Sequence, residues 1–247
     1  MAPERLVSAA FFGAELARIH HEHFGFVAEA GARTLLAETG GEGAVFELGV
    51  GSGVSSRLLL DAGHEVEGVD GSEEMLALAR AHAPGGRYRL GNLWQAKLPS
   101  GLRAVTGFGE AFNYVVADPP PSLPLLEALA TRVRAALVPG GIFLFDAAAP
   151  TRGGEGGERG ARFEVDGALL VMEELETDGL IDRRVDTFVH VEGDLWRRLQ
   201  EHHALVTFAP EAVEAALARA GFASVERLES YEGYAFQPGW FGYRARR

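Results

Sequence analysis

The residues of this chain that could do chemistry fall into four groups. The first is "ELGVGSGVSS", where Gly49, Gly51 and Gly53 alternate with other residues just after an acid, Glu47. Glycines at that spacing allow a tight turn and let backbone approach a ligand closely. Asp70 follows about 20 residues on, at the end of the next apolar run, where a carboxylate can accept both hydroxyls of a ribose. The second group is His20, His21 and His23 of "IHHEHF". The third is Glu201 and His203 of "QEHHALVTF", two apart and so on one side of a strand. A neutral histidine suits proton abstraction near pH 7. The fourth is Glu110, Asn113 and Tyr114 of "GEAFNY", followed closely by Asp118-Pro119-Pro120 at the end of a hydrophobic run.

Composition narrows what these groups can serve. The 247 residues, 47% of them hydrophobic, suit one large domain or a domain with a sizeable insertion. A net charge of −12 lacks the basic footprint of a duplex-binding protein, so no nucleic-acid partner is expected. With no cysteine, the chain has no disulfide, no thiol nucleophile and no zinc–thiolate site. Neither a secretory leader nor an apolar run near the roughly 20 residues of a membrane helix is visible, and a cytoplasmic protein without a membrane partner is expected. The sequence specifies no oligomeric state.

The elements that must position these residues follow from periodicity. Residues 11–38 read as one helix. "AVFELGV" (44–50), "EVEGVD" (65–70) and "GRYRLGNL" (86–93) read as buried strands, with helices over 55–63 and 72–83 between them. The alternation predicts an α/β fold, a doubly wound parallel sheet. A helix over 123–138, a turn at 139–141 and a strand at 142–147 continue it. Glycine-rich 151–160 reads as a loop and boundary, a candidate lid. Residues 161–208 alternate apolar and polar, punctuated by Asp166-Gly167, Asp178-Gly179 and Glu192-Gly193, and predict four antiparallel strands inserted as a cap. A helix over 209–221 and two strands close the chain. The division is therefore 1–150 for the N-terminal helix and α/β core, 151–208 for the cap, and 209–247 for the rest of the core.

Glu47 bears on the nucleotide. A carboxylate two residues before the first glycine serves a pyrophosphate poorly, whereas S-adenosylmethionine has no phosphate and carries a sulfonium and an ammonium. The pieces "VFELGVGSG", "VEGVDGSEEMLALAR", "RLGNLWQAKLP" and "LVPGGIFLFD", in this order, resemble class I S-adenosylmethionine-dependent methyltransferases across roughly residues 44–147. The four-strand insertion resembles a small-molecule subgroup that includes sugar N-methyltransferases and uncharacterised bacterial relatives. The resemblance implies a Rossmann-like sheet and S-adenosylmethionine as cofactor. It puts Glu47, Gly49 and Gly51 at the methionine end, Gly53 in the same cofactor-binding loop, Asp70 on the ribose, and Gly71 and Met75 beside the adenosine. Asn92 stands where the family often has an Asp for the adenine amine, with Leu93 touching the ring and Trp94 either stacking on it or packing in the core.

Family spacing also bears on Asp118-Pro119-Pro120. Counting from Asn92 puts the fourth strand at 102–108 and makes 109–114 the loop facing the methyl group. The prolines then enter a helix capped by Ser122. The other register, a strand at 112–118, would make the motif that of an enzyme methylating nucleic acid or a protein amide, but Pro121 stands where that motif has an aromatic ring. The expected activity is methyl transfer to a nitrogen or oxygen of a small molecule. Its catalytic candidates are His203, Glu201, Glu110, Tyr114 and His20, and no metal is expected. The bland alternatives are a solvated helix face for the histidines, an exposed cross-strand pair for Glu201 and His203, and a capping role for Glu110. A cofactor-binding protein of this fold without turnover is the remaining alternative.

Overall fold

The computed structural model describes residues 12–152 and 158–247. Among them the chain begins with two helices, α1 (Ala14–His23) and α2 (Phe26–Thr39), where the sequence predicts one. The break falls at Phe24-Gly25. A Cβ on Gly25 would lie 2.8 Å from Cγ2 of Val54, so the glycine lets the start of α2 meet the next helix closely. Then follow β1 (Ala44–Leu48), α3 (Val54–Asp61), β2 (Glu65–Asp70), α4 (Glu73–His82), β3 (Arg87–Leu90), a single 3-10 turn (Leu93–Gln95) and β4 (Leu102–Gly107). α4 is capped by Ser72, whose Oγ accepts from the Met75 amide at 3.1 Å. α5 (Leu123–Ala136) starts at Ser122, whose side chain makes no capping bond, and carries a proline in its first turn.

β5 (Leu137–Ala148) absorbs the turn expected at 139–141. Its pairing with β4 jumps from Leu102↔Leu137 to Ala104↔Ile142, so Pro139-Gly140-Gly141 forms a bulge rather than a break. The cap follows as β6 (Glu158–Val165), β7 (Ala168–Thr177), β8 (Leu180–Glu192) and β9 (Leu195–Val206). Asp178 (φ 51°) and Gly179 (φ 78°) both adopt left-handed backbone, the two-residue hairpin geometry that Asp-Gly favours. The chain ends with α6 (Pro210–Arg219), β10 (Ser224–Leu228), a short hairpin of β11 (Ser230–Tyr231) and β12 (Tyr234–Ala235) absent from the sequence reading, and β13 (Trp240–Arg246).

The main sheet has the order β10-β13-β5-β4-β1-β2-β3, parallel from β5 to β3, with β13 antiparallel at the β5 side. β1 is flanked by β2 and β4, so the strand order reverses there and a crevice opens at the carboxyl ends of the strands. Phe46, Leu48, Val105, Phe143 and Phe145 fill one face of this sheet, and Val45, Leu59, Ala104 and Leu144 the other. The four-stranded cap sheet is separate, and the 109–114 loop stitches it to the core. The Val115 amide donates to the Ala204 carbonyl, the Val206 amide donates to the Asn113 carbonyl, and Asn113 Nδ2 donates to the carbonyls of Ala148 and Val206. Asn113 is therefore a fully buried clamp and does not reach the crevice.

Gly53 shows how closely the core is packed beneath the crevice. Its φ is +80°, and a Cβ there would lie 2.9 Å from Cα of Ala79 in α4. Gly53→Ala is expected to destabilise the protein by about 1–3 kcal/mol through backbone strain and overpacking, read as a lower urea midpoint at unchanged slope.

Candidate functional site

One cavity runs from the glycine loop to the underside of the cap. At the loop end, the Gly49 and Val50 amides both donate to the Val69 carbonyl, at 2.9 and 3.1 Å, which folds the loop over the end of β2. Gly51 N then donates to Asp70 Oδ2 at 2.7 Å, and Ser72 N donates to Oδ1 at 2.9 Å. Gly51 has φ +56°, and a Cβ built there meets nothing within 4 Å, so the bare backbone faces open space. Burial raises the Asp70 pKa, against the amide bonds from Ser72, Gly51 and Gly71, which favour the carboxylate. Each Asp70 oxygen keeps acceptor capacity beyond its amide bond, as two adjacent hydroxyls require. Gly49, Gly51, Asp70, Gly71, Met75 and Leu93 all line the cavity. A glycine cradle beside a buried carboxylate, with an apolar floor, fits an adenosyl group.

Four expected cofactor contacts lie elsewhere. Glu47 is not on the cavity wall: Ser55 Oγ donates to its Oε1 at 2.5 Å and Ser56 Oγ donates to its Oε2. Burial pushes its pKa up to about 7, so it is no fixed negative wall and instead ties the start of α3 to β1. Gly53 packs against α4. Asn92 Oδ1 accepts the Trp94 amide at 2.9 Å, capping the 3-10 turn. Trp94 is buried in the core, edge-on to Phe112 at 5.7 Å, and does not face the cavity.

The cap end is built on ion pairs. Asp146, at the end of β5, accepts the amides of Gly109 (3.0 Å) and Glu110 (2.7 Å) and the indole N–H of Trp240 (2.8 Å). Burial pushes its pKa up to about 7. These bonds hold the loop while Glu110 turns through φ +61°. Glu110 Oε1 accepts from Arg152 Nε and Oε2 from Arg183 Nη2, both at 2.9 Å. Arg183 also donates to Glu174 Oε1 (2.6 Å) and to the Tyr114 hydroxyl (2.8 Å). Burial alone would raise the Glu110 pKa, but the two arginines outweigh it and hold the group below its usual value. Burial pushes the Tyr114 phenol up to about 12. Arg152 lies over the Trp240 ring, its Cζ 5.0 Å from the ring centroid.

Glu201 and His203 share a side of β9, as their spacing predicts, but they are not an exposed cross-strand pair. His203 is 2% exposed, lines the cavity, and bonds Glu201 Oε2 through Nε2 at 2.9 Å. The same carboxylate accepts the amides of Phe12 and Gly13 at 2.9 Å each, anchoring the start of α1. The histidines of α1 separate. His20 lines the cavity and packs edge-on to Phe12 at 5.2 Å. Burial first, then His21 and His203, lower its pKa to about 4. His21 Nδ1 is 3.0 Å from Ser52 Oγ in the glycine loop, and His23 lies 3.8 Å from Glu22. Among the described residues no group of three or more His, Asp or Glu is placed to hold a metal ion. Asp118 is exposed and off the cavity, because β4 is Leu102–Gly107 and not 112–118. Of the glycine-rich loop expected over 151–160, a candidate lid, residues 153–157 lie outside the described residues, and β6 begins at Glu158.

Asp146, Arg152, Glu174 and Arg183 escape the sequence reading. Glu174 and Arg183 do carry a signal: a two-residue turn at Asp178-Gly179 makes them direct partners, as observed.

Residues 45–141 match the model of a methyltransferase domain. A search of curated protein sequences finds no match. Among solved structures, an S-adenosylmethionine-dependent methyltransferase from Clostridium acetobutylicum is similar at 17% identity, covering 94% of this chain and 97% of that one, with a TM-score of 0.77. DesVI of Streptomyces venezuelae follows at 20%, 93% and 97%, with 0.75. CalS10, an amino pentose methyltransferase from Micromonospora echinaspora, follows at 22%, 96% and 98%, with 0.73. Residues 45–141 thus carry the pattern of a methyltransferase domain, and the chain shares the fold of these S-adenosylmethionine-dependent methyltransferases.

Two outcomes follow. Asp70→Ala raises the S-adenosylhomocysteine Kd at least 100-fold by calorimetry. Glu47 binds its proton more tightly folded than unfolded, so its contribution is present below about pH 4.5 and lost as pH rises through about 7. Glu47→Gln should therefore gain up to about 3 kcal/mol on the parent above pH 7 and nothing below pH 4.5, measured by denaturant unfolding across pH.

Proposed function

We propose that this enzyme methylates a small molecule held between the cap, α1 and the 109–114 loop, in a cytoplasmic setting and without a nucleic-acid partner. The observation that supports this best is the continuity of the cavity: it joins Gly51 and Asp70 at one end to His203 at the other, under a roof of cap residues. A roofed cavity suits a small acceptor better than a base in a polymer, and Asp118 stands outside it. No helix among the described residues is long and apolar enough to cross a membrane. The boundaries at 150 and 208 then have a functional sense, separating a cofactor-binding core from an acceptor-binding cap.

S-adenosylmethionine supplies a methyl group already activated by its sulfonium: as the acceptor's lone pair bonds to the methyl carbon, the carbon–sulfur pair returns to sulfur. What remains for the protein is alignment and proton removal. Gly49, Gly51, Asp70, Gly71, Met75 and Leu93 hold the donor. His203 is the proton acceptor. Glu201 holds its Nε2 at 2.9 Å and so fixes the orientation of the ring. Glu110 serves as an anchor rather than a base, since both its oxygens are held by arginines, and Tyr114 orients Arg183. His20, with its lowered pKa, stays neutral and shapes the wall.

His203→Gln is expected to lower kcat by about 100-fold while changing the S-adenosylhomocysteine Kd less than twofold. Asp118→Ala should leave both unchanged. Loss of activity in Asp118→Ala, or turnover on nucleic acid or protein, would establish the macromolecular reading. A wild type that binds donor but shows no transfer across a broad acceptor screen would favour the non-catalytic one.

A further inference from the structure

We propose that the acceptor is an uncharged, largely apolar molecule presenting an aromatic hydroxyl, rather than an ammonium or a polyhydroxylated ring. The inference rests on the methyl-transfer reading above and concerns the cap end of the same cavity.

The cap sheet contributes one face to this end. Cross-strand register sets Phe163 opposite Leu170, Met172 opposite Val185, and Arg183 opposite His203. Phe163, Leu170, Met172 and Val185 all line the cavity. Phe12, Phe24, Phe108 and Trp240 also line it, Phe24 edge-on to Phe163 at 5.0 Å. A sugar's hydroxyls would find few partners on such a wall, and each one buried without a hydrogen bond costs about 1–3 kcal/mol. Flat aromatic surface suits these rings.

The charged residues at this end are turned on one another. Glu110 and Glu174 oppose Arg152 and Arg183, two charges of each sign, and Glu110 gives one oxygen to each arginine. Arg183 uses all three of its nitrogens within the network. Arg152 Nη1 has no hydrogen-bond partner, but it is buried and its guanidinium lies against Trp240. Glu174 Oε2 is also without a hydrogen-bond partner, but Glu174 is buried and does not line the cavity, so the network presents no spare carboxylate to an ammonium there. An amine of lysine-like pKa would have to enter neutral, the form taken by on the order of one molecule in 10³ at pH 7. A phenol of similar pKa enters neutral as it stands and loses its proton only as its oxygen bonds to the methyl carbon, the proton passing to His203.

The test uses the full-length protein saturated with S-adenosylhomocysteine, titrated by calorimetry at pH 7 with 2-naphthol, 2-naphthylmethylamine and glucosamine. Expected is saturable naphthol binding, the amine at least 100-fold weaker and no glucosamine binding, with transfer of labelled methyl from S-adenosylmethionine to naphthol alone. Amine or glucosamine binding as tight as naphthol overturns the proposal, as does absence of naphthol binding to protein that holds S-adenosylhomocysteine. Failure to bind S-adenosylhomocysteine overturns the methyl-transfer reading itself, and the acceptor class with it. Met172→Gln should weaken naphthol about tenfold with S-adenosylhomocysteine affinity unchanged, the latter reporting an intact fold. Unchanged naphthol affinity in that variant places the acceptor elsewhere and contradicts the assignment.

Discussion

Glu110 is the hinge of this molecule's chemistry. Its carboxylate takes Arg152 from the exit of β5 and Arg183 from the cap, and Arg183 in turn takes Glu174 and Tyr114. Four buried charges in one place are tolerable only if paired and hydrogen-bonded. Removing one member leaves another uncompensated. The network thus fixes where the cap sits over the crevice at the carboxyl ends of the strands. The Asp146 carboxylate supplies the other half of this constraint, because it sets the two amides of the loop from which Glu110 projects.

The two ends of the cavity use buried acids differently. Asp70 accepts the amides of Gly51 and Ser72, among others, and still lines the cavity, the condition for a group that accepts bonds from a ligand. Glu47 and Glu110 are saturated by protein donors, the condition for groups that hold backbone and cap in place. Glu201 stands between these cases. One carboxylate orients His203 and also anchors the first residues of α1, so the helix over the cleft and the proposed proton acceptor share a support.

The parts of this arrangement legible in the sequence were those governed by local rules. Strand–helix alternation, glycines between β1 and α3, an acid ending β2 and Asp-Gly turns each have a short-range cause, and the α/β sheet and cap follow from them. The count from Asn92 put β4 in the right register and removed Asp118 from the crevice. What could not be read was which way buried polar groups turn. Glu47 and Asn92 stand at family positions, yet Ser55 and Ser56 engage the first from the next helix and the Trp94 amide engages the second from two residues on. The pairing of Glu174 with Arg183 was recoverable from the Asp178-Gly179 turn. The pairing of Arg183 with His203 was not, because a shift in register between His190 and Glu192 intervenes. The break at Phe24-Gly25 has a tertiary cause, contact with Val54, that helical periodicity does not show.

The most direct test of this account is calorimetric titration of the wild-type protein with S-adenosylmethionine, S-adenosylhomocysteine and NAD. Saturable one-to-one binding of the first two, with no heat from NAD, is what a glycine cradle beside Asp70 in the fold of these methyltransferases predicts. Binding of NAD, or of none of the three, would contradict it.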